Sequence, residues 1–330
     1  MSEGSGEDAF IARLFRPIAR NPAARGLLDD AALLRPPPDR ELVLTKDALV
    51  AGVHFFPDDP PASIARKLLR VNVSDLAAKG ARPIGALIAL AVSRETTSDW
   101  LEAFALALGE DCDFYGCPLL GGDTVRTPGP VTLSLTAIGA VPTGRFVPRT
   151  GARPNEALLV TGTIGDSALG LALRLTPERP GFSALSPVQR SFLLDRYLHP
   201  QPRLAAAGVL RSRASAAMDI SDGLAGDLAK MLRVSGCGGL LRVQDVPLSD
   251  AARTALAAEP ALLETILAGG DDYEIAACVP FDAAEDFVAD LGAAGIAARV
   301  IGETFETPGF AILDADGAPV ALSRLNYSHI

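Results

Sequence analysis

Cysteine and histidine are scarce in this sequence, with 4 and 3 of them among 330 residues. The cysteines show no paired CxxC spacing of a zinc or redox site, and they are too few for a disulfide framework. They are Cys112, Cys117, Cys237 and Cys278. We therefore expect reduced thiols that have no ligand or redox function.

Basic runs and long apolar runs are also missing. The net charge is -10 and no Lys/Arg-rich segment occurs, which argues against binding along a nucleic-acid backbone or an anionic membrane. The most apolar stretch, residues 83–92, is too short to span a bilayer, and the acidic residues 1–8 do not resemble a signal peptide. We expect a cytoplasmic protein that binds neither nucleic acid nor membrane.

The chain has the size and the alternating patterns of an α/β protein. Hydrophobic residues make up 48% of it, and 330 residues fit two domains better than one. Helical and strand patterns alternate, which predicts an α/β or α+β class. Residues 144–151 resemble a linker, so we place the domains at 1–150 and 151–330.

Hydrophobic spacing and glycine positions predict individual elements. Helical spacing predicts helices over residues 8–20 and 249–268, whereas the apolar run 26–34 is strand-like. The glycines of 121–124 and of 162–167 suggest turns whose backbone N–H groups could approach an anion.

Two Ser-Asp motifs stand in apolar surroundings. Asp75 lies within Val71–Gly80, a run of helical spacing whose other residues are mostly apolar or small. A buried carboxylate needs a cation, a hydrogen-bond network or a metal. Asp219–Gly223 repeats the Ser-Asp step in a second apolar setting. Two such motifs suggest one shared cluster.

A set of six aspartates favours magnesium. A turn, cap or ion-pair role is the simpler interpretation of any single one, but it explains the whole set less well. Mg²⁺ prefers oxygen ligands, and the scarcity of His and Cys argues against Zn²⁺. The six are Asp30, Asp47, Asp75, Asp123, Asp219 and Asp222.

The common nucleotide-binding motifs do not occur. The sequence has no Gly-x-x-x-x-Gly-Lys-Ser/Thr, no Gly-x-Gly-x-x-Gly after a strand and no protein-kinase catalytic loop. A bound nucleotide would therefore have to be held through metal bridges and glycine turns.

A series of short motifs covers nearly the whole chain. In order, they are Ile11–Phe15, Asp29–Leu33, Asp47–Phe55, Val71–Ala78, Gly121–Thr124, Gly162–Ser167, Asp219–Leu224 and Gly269–Glu274. In this order and spacing the set resembles the thiamine-monophosphate kinases, members of the superfamily that includes aminoimidazole ribonucleotide synthetase. The resemblance implies that superfamily's two-domain α/β (α+β) fold, with an N-terminal mixed sheet flanked by helices and a C-terminal α/β domain.

The same resemblance implies an activity and its partners. ATP would phosphorylate thiamine monophosphate to thiamine diphosphate, the last step of that cofactor's biosynthesis, by direct in-line transfer assisted by several Mg²⁺ ions. Stimulation by K⁺ is also compatible with it. The N-terminal domain would bind ATP and Mg²⁺ and pair two copies into a homodimer, and the C-terminal domain would complete the active site.

Residue roles are carried over by motif position. Asp75, Asp123 and Asp222 would be catalytic. Mg²⁺ would be held by Asp30, Thr45, Lys46, Asp47, Asp75, Asp123, Asp219 and Asp222. ATP would contact Tyr115, Gly122, Asp123, Arg149 and Ser221, and thiamine monophosphate would contact His54, Asp271 and Tyr327.

The chain departs from the family pattern in four places, and two alternatives stay open. The departures are Leu28, Lys46, Asp271 and the pair Leu325-Asn326. One alternative is another enzyme of the superfamily. A selenophosphate synthetase would need a reactive Cys near the N-terminus, where the first is Cys112, and a hydrogenase-maturation dehydratase would need a C-terminal Cys, which this chain lacks. The other alternative is a catalytically silent Mg-nucleotide binding protein.

Overall fold

The computed structural model describes residues 6–326, with side chains from residue 9 onward, so Tyr327 lies outside the described residues. The chain divides into two units. Unit 1 comprises Met1–Leu76 and Ala81–Gly144, and unit 2 comprises Ala77–Gly80 and Arg145–Ile330. No helix within residues 6–326 is long and apolar enough to cross a membrane.

Unit 1 is built on a mixed four-stranded sheet. Its strands are β1 (Arg40–Val50), β2 (Arg82–Val92), β3 (Leu119–Arg126) and β4 (Thr132–Pro142), in the order β1-β4-β2-β3. Strand β4 is antiparallel to β1 and β2, whereas β3 is parallel to β2. The helices are α1 (Gly6–Leu14), α2 (Pro61–Ala78) and α3 (Ser98–Tyr115).

The two faces of this sheet differ because side chains alternate along each strand. On β4, Leu133 and Leu135 are fully buried, whereas Ser134 and Thr136 are half-buried. The open face also presents apolar side chains, since Leu44 on β1 is 64% exposed. One face of the sheet therefore belongs to the core of unit 1 and the other is accessible.

Unit 2 contains a six-stranded sheet with helices between its strands. The strands are β5 (Glu156–Thr161), β6 (Ala216–Asp219), β7 (Gly238–Arg242), β8 (Ile275–Pro280), β9 (Ala298–Phe305) and β10 (Gly309–Leu313), in the order β10-β7-β9-β5-β8-β6. The helices are α4 (Asp166–Leu175), α5 (Pro180–Ser183), α6 (Pro187–Leu198), α7 (Ala207–Arg213), α8 (Leu224–Ser235), α9 (Asp250–Ala258), α10 (Leu262–Ala268) and α11 (Phe281–Ala293).

This second sheet is buried on both faces. Along β5, Leu158 and Val160 join one apolar cluster, whereas Ala157 and Leu159 join another. The strand is accordingly apolar at four consecutive positions, a pattern typical of a strand covered on both sides. Apolar residues packed on both faces of this sheet form the core of unit 2.

Three local predictions were wrong. The run 26–34 forms no strand, since it starts in the 3₁₀ helix Pro22–Leu27 and continues as bends and irregular backbone. The predicted helix 249–268 is two helices, α9 and α10, separated at Pro260, whose missing N–H cannot continue α9. Gly121 and Gly122 lie inside β3 and not in a turn.

Candidate active site

Three of the predicted metal ligands meet in unit 1, where β1 lies beside α2. Alternation along β1 places Thr45 and Asp47 on its inner face, and α2 supplies Asp75. The Thr45 hydroxyl donates a hydrogen bond to Asp75 Oδ2. Burial, and next the negative charge of Asp75, raises the pKa of Asp47 to about 6. Negative charge is thus concentrated here, among oxygen donors that suit a hard cation.

Lys46, which lies between Thr45 and Asp47 on β1, points to the opposite face of the sheet. It lines a cavity of about 660 Å³ in unit 1, together with Asp30, Gly122 and Asp123. Strand register explains the grouping, because Lys46, Thr136 and Leu87 stand in one row across the sheet. The structure therefore divides the predicted metal residues of unit 1 into two groups, with Lys46 apart from Thr45, Asp47 and Asp75.

Gly122 is required by close packing of two strands. A Cβ atom at this position would lie 2.2 Å from the backbone oxygen of Ile88 on β2, whereas one on Gly121 would meet only a Leu87 methyl group at 3.4 Å. The glycine thus lets β3 pack tightly against β2 beside the cavity. This corrects the expectation that the two glycines form an anion-binding turn.

His54 lies in the short loop between β1 and α2, and two contacts order it. The Val50 N–H donates to His54 Nδ1 at 3.1 Å, so the neutral ring carries its proton on Nε2. The buried Lys67 donates from Nζ to the backbone oxygen of His54 at 3.0 Å. The sequence did not indicate a structural role for Lys67, because a lysine on an amphipathic helix is usually exposed.

Tyr115 ends α3 and is held by an arginine of α2. The guanidinium of Arg70 lies 5.7 Å from the centre of the Tyr115 ring, a cation–π distance. Asp111 fixes that guanidinium through two hydrogen bonds, of 2.6 Å to Nε and 3.1 Å to Nη2. The aromatic residue predicted to contact ATP is therefore oriented by a fixed cation.

In unit 2, the second Ser-Asp motif is joined to the segment that carries Asp271. The Asp271 N–H donates to the Ser221 oxygen at 2.9 Å, and the Tyr273 N–H donates to the Ile220 oxygen at 2.9 Å. Asp271 and Tyr273 have φ values of 71° and 51°, in the left-handed region that side chains disfavour. Such strain is typical of segments held in place for function.

Asp227 and Lys230 of α8 support this motif, and the sequence analysis did not identify them. Asp227 Oδ2 accepts the N–H groups of Ser221 at 3.1 Å and Asp222 at 3.0 Å. Lys230 Nζ lies 3.0 Å from Asp222 Oδ2 and 3.2 Å from Asp227 Oδ1. Burial raises the pKa of Asp227, and Lys230 opposes that effect. Their i,i+3 spacing on a helix was the available signal.

The glycine turn before α4 already binds a carboxylate of the same chain. The Gly165 N–H donates to Asp272 Oδ2 at 2.7 Å, and the Ser167 N–H donates to Asp272 Oδ1 at 3.4 Å. Burial raises the pKa of Asp272 well above its usual range. This finding corrects the anion-site expectation for residues 162–167, because an internal side chain takes the position of the anion.

Glu274 joins a buried ion-pair network beside this turn. Its carboxylate, fully buried, accepts hydrogen bonds from Arg196 Nη2 at 3.1 Å, Arg203 Nε at 2.6 Å and the Thr161 hydroxyl at 2.7 Å. The network has the satisfied hydrogen bonds that a buried charge requires. It holds the start of β8 against the end of β5.

The remaining predicted residues occupy separate positions. Asp219 ends β6 and is 8% exposed, whereas Arg149 is exposed, with its backbone oxygen accepting from the Ser235 hydroxyl at 3.3 Å. Among residues 6–326, no three His, Cys, Asp or Glu side chains come close enough to hold a metal ion by themselves. A divalent ion would therefore need water or phosphate oxygens as further ligands, which Mg²⁺ commonly uses.

Two family models match the chain in succession. The model described as AIR synthase related protein, N-terminal domain, matches residues 28–141, and the corresponding C-terminal domain model matches residues 153–314. A thiamine-monophosphate kinase of Caulobacter vibrioides is 41% identical over 323 residues, which cover 97% of this chain and 89% of that protein.

Solved structures agree with these matches. A thiamine-monophosphate kinase from Stenotrophomonas maltophilia superimposes with a TM-score of 0.83 at 34% identity, covering 95% of this chain and 96% of that one. AaThiL, complexed with AMPPCP and TMP, superimposes with a TM-score of 0.77 at 30% identity, covering 89% of each chain. These comparisons confirm the fold class and the family resemblance.

Proposed function

The chain belongs to the AIR synthase related protein family and, within it, to the thiamine-monophosphate kinases, and we propose that its two Ser-Asp motifs supply the carboxylates of that reaction. The protein phosphorylates thiamine monophosphate with ATP, giving thiamine diphosphate and ADP. The observation that carries this assignment is the nearly full-length similarity to these kinases.

The donor set fits Mg²⁺. Thr45, Asp47 and Asp75 present oxygen atoms in one place, and the nearness of two carboxylates, which raises the pKa of Asp47 together with burial, supports binding of a cation there. We also assign Mg²⁺ binding to Asp30 and Asp123 of unit 1 and to Asp219 and Asp222 of unit 2. Bound Mg²⁺ would supply neutralisation of phosphate charge.

Lys46 requires a different role. A protonated ammonium has no lone pair, so its side chain cannot ligate a cation. Its position in the cavity with Gly122 and Asp123 supports a contact with an anionic phosphate. We therefore assign Lys46 to the nucleotide phosphates, and Tyr115, Gly122, Asp123, Arg149 and Ser221 to ATP.

Residues for the second substrate follow from the same motifs. We assign His54 and Asp271 to thiamine monophosphate, as well as Tyr327, which the structure does not describe. His54 would donate from Nε2, because its Nδ1 accepts from Val50. The attacking phosphate oxygen is anionic near neutral pH, so direct in-line transfer needs positioning and charge neutralisation and no strong general base.

A homodimer that pairs through unit 1 is the proposed assembly. Leu44 and Val125 are 64% and 49% exposed, apolar residues on the sheet of unit 1 that a second copy could cover. Light scattering should give a mass of two 34.3 kDa chains for the wild type and of one chain for Leu44→Glu.

We place the protein in the cytoplasm, where ATP is available, and cell fractionation tests this. K⁺ stimulation is tested by replacing K⁺ with Na⁺ in the assay.

The decisive experiment measures ADP release and thiamine diphosphate together, in the presence of Mg·ATP with and without thiamine monophosphate. Asp75→Asn and Asp222→Asn should each lower turnover about 100-fold or more while the circular-dichroism spectrum of the folded protein is retained. The exposed Asp113→Asn and Asp250→Asn are matched controls. Near-normal activity in either test variant would contradict the metal assignment. ATP binding without diphosphate formation would instead identify a silent binder or another enzyme of the superfamily.

A further inference from the structure

The ammonium of Lys230 lies between two carboxylates of unit 2. Nζ is 3.0 Å from Asp222 Oδ2 and 3.2 Å from Asp227 Oδ1. The second oxygen of Asp227 accepts the backbone N–H groups of Ser221 and Asp222. Lys230 therefore holds the side chain of Asp222, and Asp227 holds its main chain.

The two carboxylates differ in how much they depend on this cation. Asp227 is fully buried and needs a nearby positive charge, whereas the Asp222 side chain is 34% exposed and could be neutralised by solvent cations. An ammonium has three N–H donors, so Lys230 can serve both residues at once. Loss of the bond to Asp222 would leave the bond to Asp227 in place.

We propose that Lys230 is a positioning residue that competes with divalent cations for Asp222 and thereby keeps the affinity of this carboxylate for free Mg²⁺ low. The inference rests on the proposed function, from which the metal role of Asp222 comes. An ammonium and a metal ion cannot share the same carboxylate oxygen in the same direction. A divalent ion must therefore displace Lys230 from Asp222. The phosphate oxygens of a bound nucleotide favour this displacement because they are additional ligands for the ion.

The expected effect is measurable without turnover. A divalent ion bound to Asp222 would lie about 6 Å from the Lys230 ammonium. In a water-like dielectric, the repulsion between these two charges weakens binding of the ion about tenfold. Mn²⁺ titration of the nucleotide-free full chain, followed by electron paramagnetic resonance, should therefore show binding about tenfold tighter in Lys230→Met than in the wild type. Lys230→Arg keeps the charge and should stay within about threefold of the wild type.

Two controls separate competition from a general charge effect. Arg233→Met removes one positive charge from an exposed position of the same helix, and it should leave Mn²⁺ affinity unchanged. Adding Asp222→Asn to Lys230→Met should abolish the gain. Lys230→Gln, which keeps a donor for the buried Asp227, replaces Lys230→Met if that variant does not fold.

Unchanged or weaker Mn²⁺ binding in the uncharged variants would overturn the inference, as would equal tightening in Arg233→Met. A thermal readout must agree, because metal-free Lys230→Met should melt below the wild type and gain more from Mn²⁺. Thiamine diphosphate formation by the wild type is measured in the same preparation. Product without tighter metal binding would refute only the role of Lys230, whereas missing product would refute the proposed function and leave the titration decisive for Lys230.

Discussion

Asp47→Asn should stabilise the metal-free protein above pH 6, although it removes a proposed metal ligand. Burial and the charge of Asp75 raise the pKa of Asp47 from 3.8 to about 6 in the folded chain. Between these values the folded state binds more protons than the unfolded state, so stability falls as pH rises. The penalty is absent below about pH 4 and complete above about pH 7.

Its size follows from the two pKa values. The pKa of Asp47 is about 2.2 higher in the folded chain than in the unfolded chain, and one pKa unit corresponds to about 1.36 kcal/mol. The upper limit of the penalty is therefore about 3 kcal/mol. Asp47 is half-buried, and solvent screening reduces this, so we expect about 1 to 2 kcal/mol. About half of the penalty should have appeared at pH 5.

Urea unfolding in EDTA at pH 5 and pH 8 measures this difference. The stability gained by Asp47→Asn should be larger at pH 8 than at pH 5, and Mg²⁺ should stabilise the wild type more than the variant. Asp113→Asn, at an exposed position of unit 1, should show neither effect. A variant that is less stable than the wild type at pH 8 would refute the reasoning, because Asp47 would then carry no unfavourable charge.

Three further predictions concern packing and charge. Glu274→Gln should cost about 3 to 5 kcal/mol in urea unfolding, because it leaves buried Arg196 without its counter-charge, whereas Glu259→Gln at a more exposed pair should cost much less. If Glu274→Gln cost as little as Glu259→Gln, the buried ion-pair network at Glu274 would be contradicted. Gly122→Ala should lower both the melting temperature and ATP affinity through its clash with the Ile88 oxygen, and the matched Gly121→Ala should be tolerated. Equal behaviour of the two alanine variants would count against tight strand packing. Arg70→Met should raise the KM for ATP about three- to tenfold with little change in kcat, because Tyr115 loses its cation. Arg66→Met, which removes another arginine paired with Asp111, is the control, and an equal effect there would make the cation–π contact irrelevant.

The candidate site residues could be proposed from sequence because they cluster in short motifs. Asp75 and Asp222 stood out as carboxylates in apolar surroundings, a contrast that the neighbouring residues in the sequence reveal. Asp227 and Lys230 were missed because one acidic and one basic residue on a helix usually mark a solvated face. Their contacts with Asp222 became visible only in the tertiary structure.

By itself, the sequence determined the α/β class, the helical character of residues 71–78 of α2, and the family, since periodicity and motif order are properties of neighbouring residues. Only the tertiary structure decided that Lys46 lines one cavity with Asp30 and Asp123, and that Asp272 fills the glycine turn before α4. These facts depend on strand register and on contacts between residues far apart in the chain, and local patterns do not specify either.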